Sequence, residues 1–106
     1  MFKVMIVLGR HPDMPVEDFR RYWVESHGPI AVAMPGLVRY IQHHAVPGPA
    51  GAPPGHDGIA ELWYEDEDAW RASRTSPEAA AARDDLVNFC DLDRVAYLFV
   101  EAIELL

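Results

Sequence analysis

Cysteine is nearly absent from this chain. A single residue of that type, Cys90, excludes an internal disulfide and any metal site built from clustered thiolates. Long apolar runs are missing too, and none approaches the roughly 18 residues needed to cross a bilayer. The N-terminal run Met1–Leu8 is short, carries Lys3 inside it and leads to no small-residue cleavage site. It therefore reads as a buried strand rather than a secretion signal, and a cytoplasmic location is expected. Positive charge is scarce: 9 Lys and Arg stand against 17 Asp and Glu, a net charge of −8 with no basic cluster. Nucleic acid and anionic membranes are poor partners for such a chain, while a neutral or apolar small molecule is not excluded. There is no Gly-rich phosphate loop, no GxSxG elbow and no helix with HxxxE or HxxxH spacing, so no metal site is expected.

What is present is an ordinary globular composition, half hydrophobic and one quarter charged, over 106 residues, a length that fits a single domain spanning residues 1–106. Residues 2–10 form a first strand. Phe2, Val4, Ile6 and Leu8 on one side and Met5 and Val7 on the other are all apolar, so both faces of this strand should be covered. A helix follows from Pro15 to about Ser26 or His27, with Glu17 and Asp18 in its first turn and Gly28-Pro29 as its expected stop. Val16, Phe19, Trp23, His27 and Ile30 recur at steps of three and four, which places a titratable ring at the end of an apolar stripe.

A second strand is predicted over Leu37–Val46. Leu37, Ile41 and Ala45 are expected toward a helix, and Val38, Tyr40, Gln42 and His44 toward a lined cavity. The Pro/Gly loop 47–57 is either a long hairpin connection or a binding loop. The third strand is Gly58–Glu65, with Glu61 in mid-strand between apolar neighbours. Helical starts follow at Asp66 and at Ser76-Pro77, the latter continuing through 79–82 and 84–89, and a last strand covers Arg94–Glu104.

The order β-α-β-β-α-β is the α+β, ferredoxin-like plan, an antiparallel sheet with both helices on one face. Tyr40, Trp63, Tyr97 and Phe99 are expected on the other face. An aromatic face of that size calls for a partner, and two sheets packed face to face in a symmetric homodimer would cover it.

The helix Phe19–Trp23 leading to His27-Gly28-Pro29, the segment Pro35–His44 and the segment Asp57–Trp63 together resemble the EthD-like family of the dimeric α/β barrel superfamily. The resemblance covers nearly the whole chain and is strongest over 15–65. It implies the ferredoxin-like fold, a dimeric α/β barrel and a small-molecule cavity, with His27 and Tyr40 among the pocket groups. The superfamily includes proteins of ether degradation, muconolactone isomerases, polyketide cyclases and dehydratases, and cofactor-free or haem-degrading monooxygenases. The resemblance therefore does not select a reaction.

Three residues are the catalytic candidates. His27 can exchange a proton near neutral pH, Tyr40 can donate a hydrogen bond to a developing enolate, and Glu61 can act as a second base or orient the imidazole. The plainer readings are a capping or core histidine, a core tyrosine, and a carboxylate paired with Arg10 or Arg39. Tyr22, Trp23, His44 and Trp63 are expected to line the substrate site. The expected function is a cofactor-free enzyme acting on an apolar, oxygenated ring compound such as a lactone or aromatic polyketide. Proton transfer by His27 would give isomerisation, cyclisation or dehydration. The alternatives are a non-catalytic accessory protein of a degradation pathway and a barrel-type monooxygenase, with haem ligation by His27 as a variant of the latter.

Overall fold

Alternation in β1 (Phe2–Leu8) sets the two faces of the sheet. The computed structural model describes all 106 residues. In it β1 lies between β3 (Gly58–Tyr64) and β4 (Ala96–Val100), and β2 (Leu37–His44) forms the far edge, giving the order β2-β3-β1-β4 with every neighbouring pair antiparallel. Helices α1 (Val16–Tyr22) and α2 (Gly28–Val32) connect β1 to β2, and α3 (Glu67–Arg74) and α4 (Pro77–Asp85) connect β3 to β4. This is the predicted ferredoxin-like plan.

Val4 and Leu8 are buried, and so are Ala60, Leu62 and Tyr64 of β3, all on the face that carries the helices. The rings of Phe19, Trp23 and Phe89, all fully buried, pack over it, with Phe19 5.7 Å from Trp23 and 5.5 Å from Phe89 between centroids. Burying each such side chain contributes about 1.5–3 kcal/mol. The opposite face presents Met5, Val7, Ile41, Ile59, Trp63 and Leu98, together with the polar group Lys3, Arg39, His43 and Glu61.

This assignment corrects the expected aromatic open face. Tyr40 pairs with Leu62, Tyr97 with Ile6 and Phe99 with Val4, so these three rings face the helices, and only Trp63 lies on the open side. For Tyr40 the physical reason is a register shift in β2 between Leu37 and Arg39, which breaks the simple alternation; Tyr97 and Phe99 keep their alternation, and the register of β4 on β1 sets them beside Ile6 and Val4. The extra residue keeps Leu37 toward the core, but it turns Ile41 to the open face and Tyr40, Gln42 and His44 to the helix face.

Gly28-Pro29 does not end the first helix. Residues Trp23–His27 form one π-helical turn and α2 continues directly to Val32. The Gly28 N–H donates to the Trp23 carbonyl five residues back, and Gln42 Nε2 donates to that same carbonyl at 2.8 Å. The wider turn accommodates a proline that carries no N–H, and a side chain from β2 supports it. Pro15 also sits one position earlier than expected, as the flanking residue of α1.

The later helix starts are as read from the sequence. The Asp66 carboxylate accepts from the Ala69 N–H at 2.8 Å, and the Ser76 hydroxyl accepts from the Ala79 N–H at 3.0 Å. The last strand is shorter than predicted and stops at Val100. It pairs only with β1, whose register ends at Lys3 opposite Val100, so residues 101–106 find no ladder.

Candidate functional site

Between the helix face of the sheet and helices α2, α3 and α4 lies a cavity of about 340 Å³, in the size range of small-molecule sites. Val4, Ile6 and Leu62 form its floor, and Trp23, His27, Ala31, Ala82 and Leu86 its apolar walls. Tyr97 and Phe99, roughly half exposed at the sheet edge, line it together with Arg74 and Arg83.

His27 lies in the π turn, which completes one helical face with Phe19 and Trp23. It is 6% exposed, and its ring lies 4.9 Å from that of Phe89. Its Nδ1 is 2.8 Å from Oδ2 of the buried Asp85. The other oxygen of that carboxylate accepts from the Tyr22 hydroxyl at 2.7 Å and from Asn88 Nδ2 at 2.9 Å. Burial pushes the Asp85 carboxyl up, but the hydrogen bonds from Tyr22, Asn88 and His27, with the His27 charge, outweigh it and hold the pKa below its ordinary value. An ionised Asp85 only accepts hydrogen bonds. Nδ1 of His27 therefore donates, and Nε2 makes no hydrogen bond within the chain. The phenol of Tyr22 is pushed up by its bond to Asp85 and by burial, so it remains a donor.

Tyr40 also lines the cavity. Burial raises its pKa, so it stays a neutral phenol. Its hydroxyl accepts from Gln42 Nε2 at 3.1 Å, and Gln42 Oε1 is 2.9 Å from His44 Nε2. His44 stacks on Trp23 at 4.4 Å, and its Nδ1 is buried without a partner. Burial, then the charge of Arg20, holds the His44 pKa below its usual value, favouring the neutral ring.

The structure thus brings His27, Tyr40 and Trp23 to one cavity. Tyr22 touches the site through Asp85, and His44 through Trp23 and Gln42. Glu61 is not opposite His27, in contrast to the expectation. It lies on the open face, where period-two alternation from Ala60 and Leu62 puts it. There it is 3.0 Å from His43 Nε2 and 3.8 Å from Lys3 Nζ, and it accepts from the Trp63 indole N–H. His43 contributes most to the lowering of its pKa, and Trp63 and Lys3 add to it against burial. The expected arginine partners are engaged elsewhere. Arg10 pairs with Asp57 at 2.8 Å, which pins the end of the Pro/Gly loop, and Arg39 lies 5.5 Å over the Trp63 ring. Trp63 and Glu61 therefore belong to the open face and not to the cavity.

Asp85 went unnoticed in the sequence. A signal exists: Ala82, Leu86 and Phe89 make a buried stripe at steps of four and three, and Asp85 falls on it. The neighbouring Asp84 hides it by making the pair look like an ordinary solvated run. Cys90 plays no part in this chemistry, because burial pushes its thiol up to about 12 and holds it in the unreactive form.

Comparison with known proteins agrees with this architecture. The family model for the EthD domain matches residues 11–93. An EthD family protein from Bacillus halodurans superposes with a TM-score of 0.80 at 20% identity, covering 97% of this chain and 100% of the other. SnoaB, a cofactor-independent oxygenase from Streptomyces nogalater, gives 0.68 at 15% identity, covering 99% and 95%. A dimeric protein of ferredoxin-like fold from Bacteroides fragilis gives 0.67 at 15% identity, covering 95% of both chains. No curated protein matches the chain. With a family match spanning most of its length, and a sheet and helix arrangement shared with these structures, the chain belongs to the EthD family.

Proposed function

We propose that the chain is a homodimeric, cofactor-free enzyme that transfers protons on an apolar, oxygenated ring compound bound in the cavity, with His27 as the base. The observation that carries this reading is the His27–Asp85 pair, in which a buried carboxylate holds Nδ1 and leaves Nε2 unpartnered on a ring that lines an apolar cavity. A histidine held in one tautomer by a carboxylate is suited to removing a proton next to a carbonyl or from a phenol. Asp85 positions the ring and stabilises its charged form after the transfer. Tyr40, kept neutral by burial, supplies a hydrogen bond to the oxygen that becomes negative. Protonation by the same imidazolium at another carbon completes an isomerisation; its proton delivered to a β-hydroxyl, which leaves as water while the enolate electrons form the C–C double bond, completes a dehydration.

The test is turnover of lactones and polyphenolic ketones by wild type and by His27→Gln, a variant that can still donate to Asp85. Turnover should fall roughly 10²–10⁴-fold, the usual contribution of a general base, with the fold unchanged by circular dichroism. Unchanged turnover would remove His27 from the mechanism, and ligand retention without product in wild type would favour the accessory-protein reading. The structural likeness to a cofactor-independent oxygenase supports a second reading, in which the anion formed by His27 reacts with molecular oxygen. Oxygen consumption with a phenolic substrate separates the two.

A further inference from the structure

Two guanidinium groups border the cavity of a chain whose net charge is −8. Arg74 ends α3 and Arg83 lies in the last turn of α4. Arg74, Arg83 and Tyr97 all line the same cavity. Arg74 forms no ion pair, and its guanidinium lies 5.4 Å over the ring of Trp70, which also lines the cavity. Arg83 has one loose contact, from Nε to Oδ1 of the adjacent Asp84 at 3.6 Å, and its terminal nitrogens form no ion pair. Burial pushes the Tyr97 phenol up, and the charges of Arg74 and Arg83 both oppose that push. Four other arginines pair with carboxylates: Arg10 and Arg94 with Asp57, Arg21 with Asp18 and Arg71 with Glu67. Arg74 and Arg83 border the pocket instead.

We infer that Arg74 and Arg83 bind an anionic substituent of the ligand, so that the preferred substrate is a carboxylated ring compound with its apolar rings against the cavity floor and its carboxylate at the rim. The proposal rests on the reading of the cavity as the substrate site. It also fixes an orientation. The carboxylate stays at the helix ends, and the ring atoms furthest from it enter the apolar interior that His27 helps to wall. A planar fork suits a carboxylate, and two forks on separate helices suit a group held at a rim better than one swallowed whole.

Binding can be read without turnover, by quenching of tryptophan fluorescence. The probes are 3-hydroxy-2-naphthoate and 2-naphthol, which share a ring system and a phenol and differ by the carboxylate. Wild type should bind the acid roughly tenfold more tightly at low salt, with the margin shrinking as salt screens the exposed rim. In Arg74→Gln/Arg83→Gln the acid should lose that margin and the naphthol should bind as before. Arg74→Lys/Arg83→Lys should keep part of the margin. Equal binding of the two probes by wild type, or a margin that survives the double glutamine variant, would overturn the proposal, and so would failure of both probes to bind. None of these outcomes depends on His27, whose role stands or falls on turnover of the glutamine variant.

Discussion

At the scale of single residues, the site turns on a carboxylate that does not touch the ligand cavity. Asp85 collects three donors, from His27, Tyr22 and Asn88. Its folded pKa is lowered, so its contribution to stability is complete above the unfolded-state value of about 4 and is lost as pH falls through the depressed folded value. Asp85→Asn should therefore cost about 1–3 kcal/mol at pH 7, since buried donors are left poorly paired. The gap between wild type and variant should narrow below pH 4, as urea denaturation at pH 7 and pH 3 would show. A constant gap would mean that the carboxylate charge is not what Asp85 supplies. Cys90 makes a complementary prediction. With its thiol pushed up to about 12 and fully buried, it should resist iodoacetamide in the native protein at pH 8 and react in urea.

At the scale of elements, the π turn is the feature that aims the site. It absorbs Pro29 without breaking the helix, and it keeps Trp23 and His27 on the buried side. Gly58, at the start of β3, is the matching concession: a Cβ there would stand 2.5 Å from the Trp23 ring and 2.7 Å from the His43 carbonyl. Gly58→Ala should destabilise the protein by about 1–3 kcal/mol through overpacking. It should also disturb His27 through the displaced indole, which near-ultraviolet circular dichroism and thermal melting would report. The helix start at Asp66 and the cap at Ser76 were legible because such start signals are local chemistry. The π turn was not, because its support comes from Gln42, 19 residues away, and no local rule announces that partner.

At the scale of the molecule, the shape is a slab. Its extents are 42 × 38 × 22 Å and its radius of gyration is 14.4 Å, against about 13 Å for a compact chain of this length. One layer of helices covers one face of the sheet, and only 18 of 106 residues are buried, so the other face is the natural place for a second copy. That face carries Met5, Val7, Ile41, Ile59 and Leu98 around the ion cluster of Glu61, Lys3 and His43. If two copies pair there, light scattering should give twice the chain mass for wild type. Met5→Glu, which sets an unpaired charge on the apolar strip, should give the single chain. A monomeric wild type at micromolar concentration would contradict the homodimer.

The sequence by itself determined the element order, the ferredoxin-like plan, the starts of α3 and α4, and the candidacy of His27 and Tyr40. All of these follow from periodicity, local backbone chemistry and the family resemblance carried by residues 15–65. Tertiary structure decided the rest. Alternation says which residues share a face but not which face meets the helices, and one bulge between Leu37 and Arg39 changes the side on which Ile41 lies. The same ambiguity placed Glu61 opposite His27 in the sequence reading, where the sheet in fact separates them. The partner that does orient His27 lies 58 residues further along the chain. Such pairings depend on how α4 docks against the π turn, a matter of packing between distant segments that no local pattern encodes.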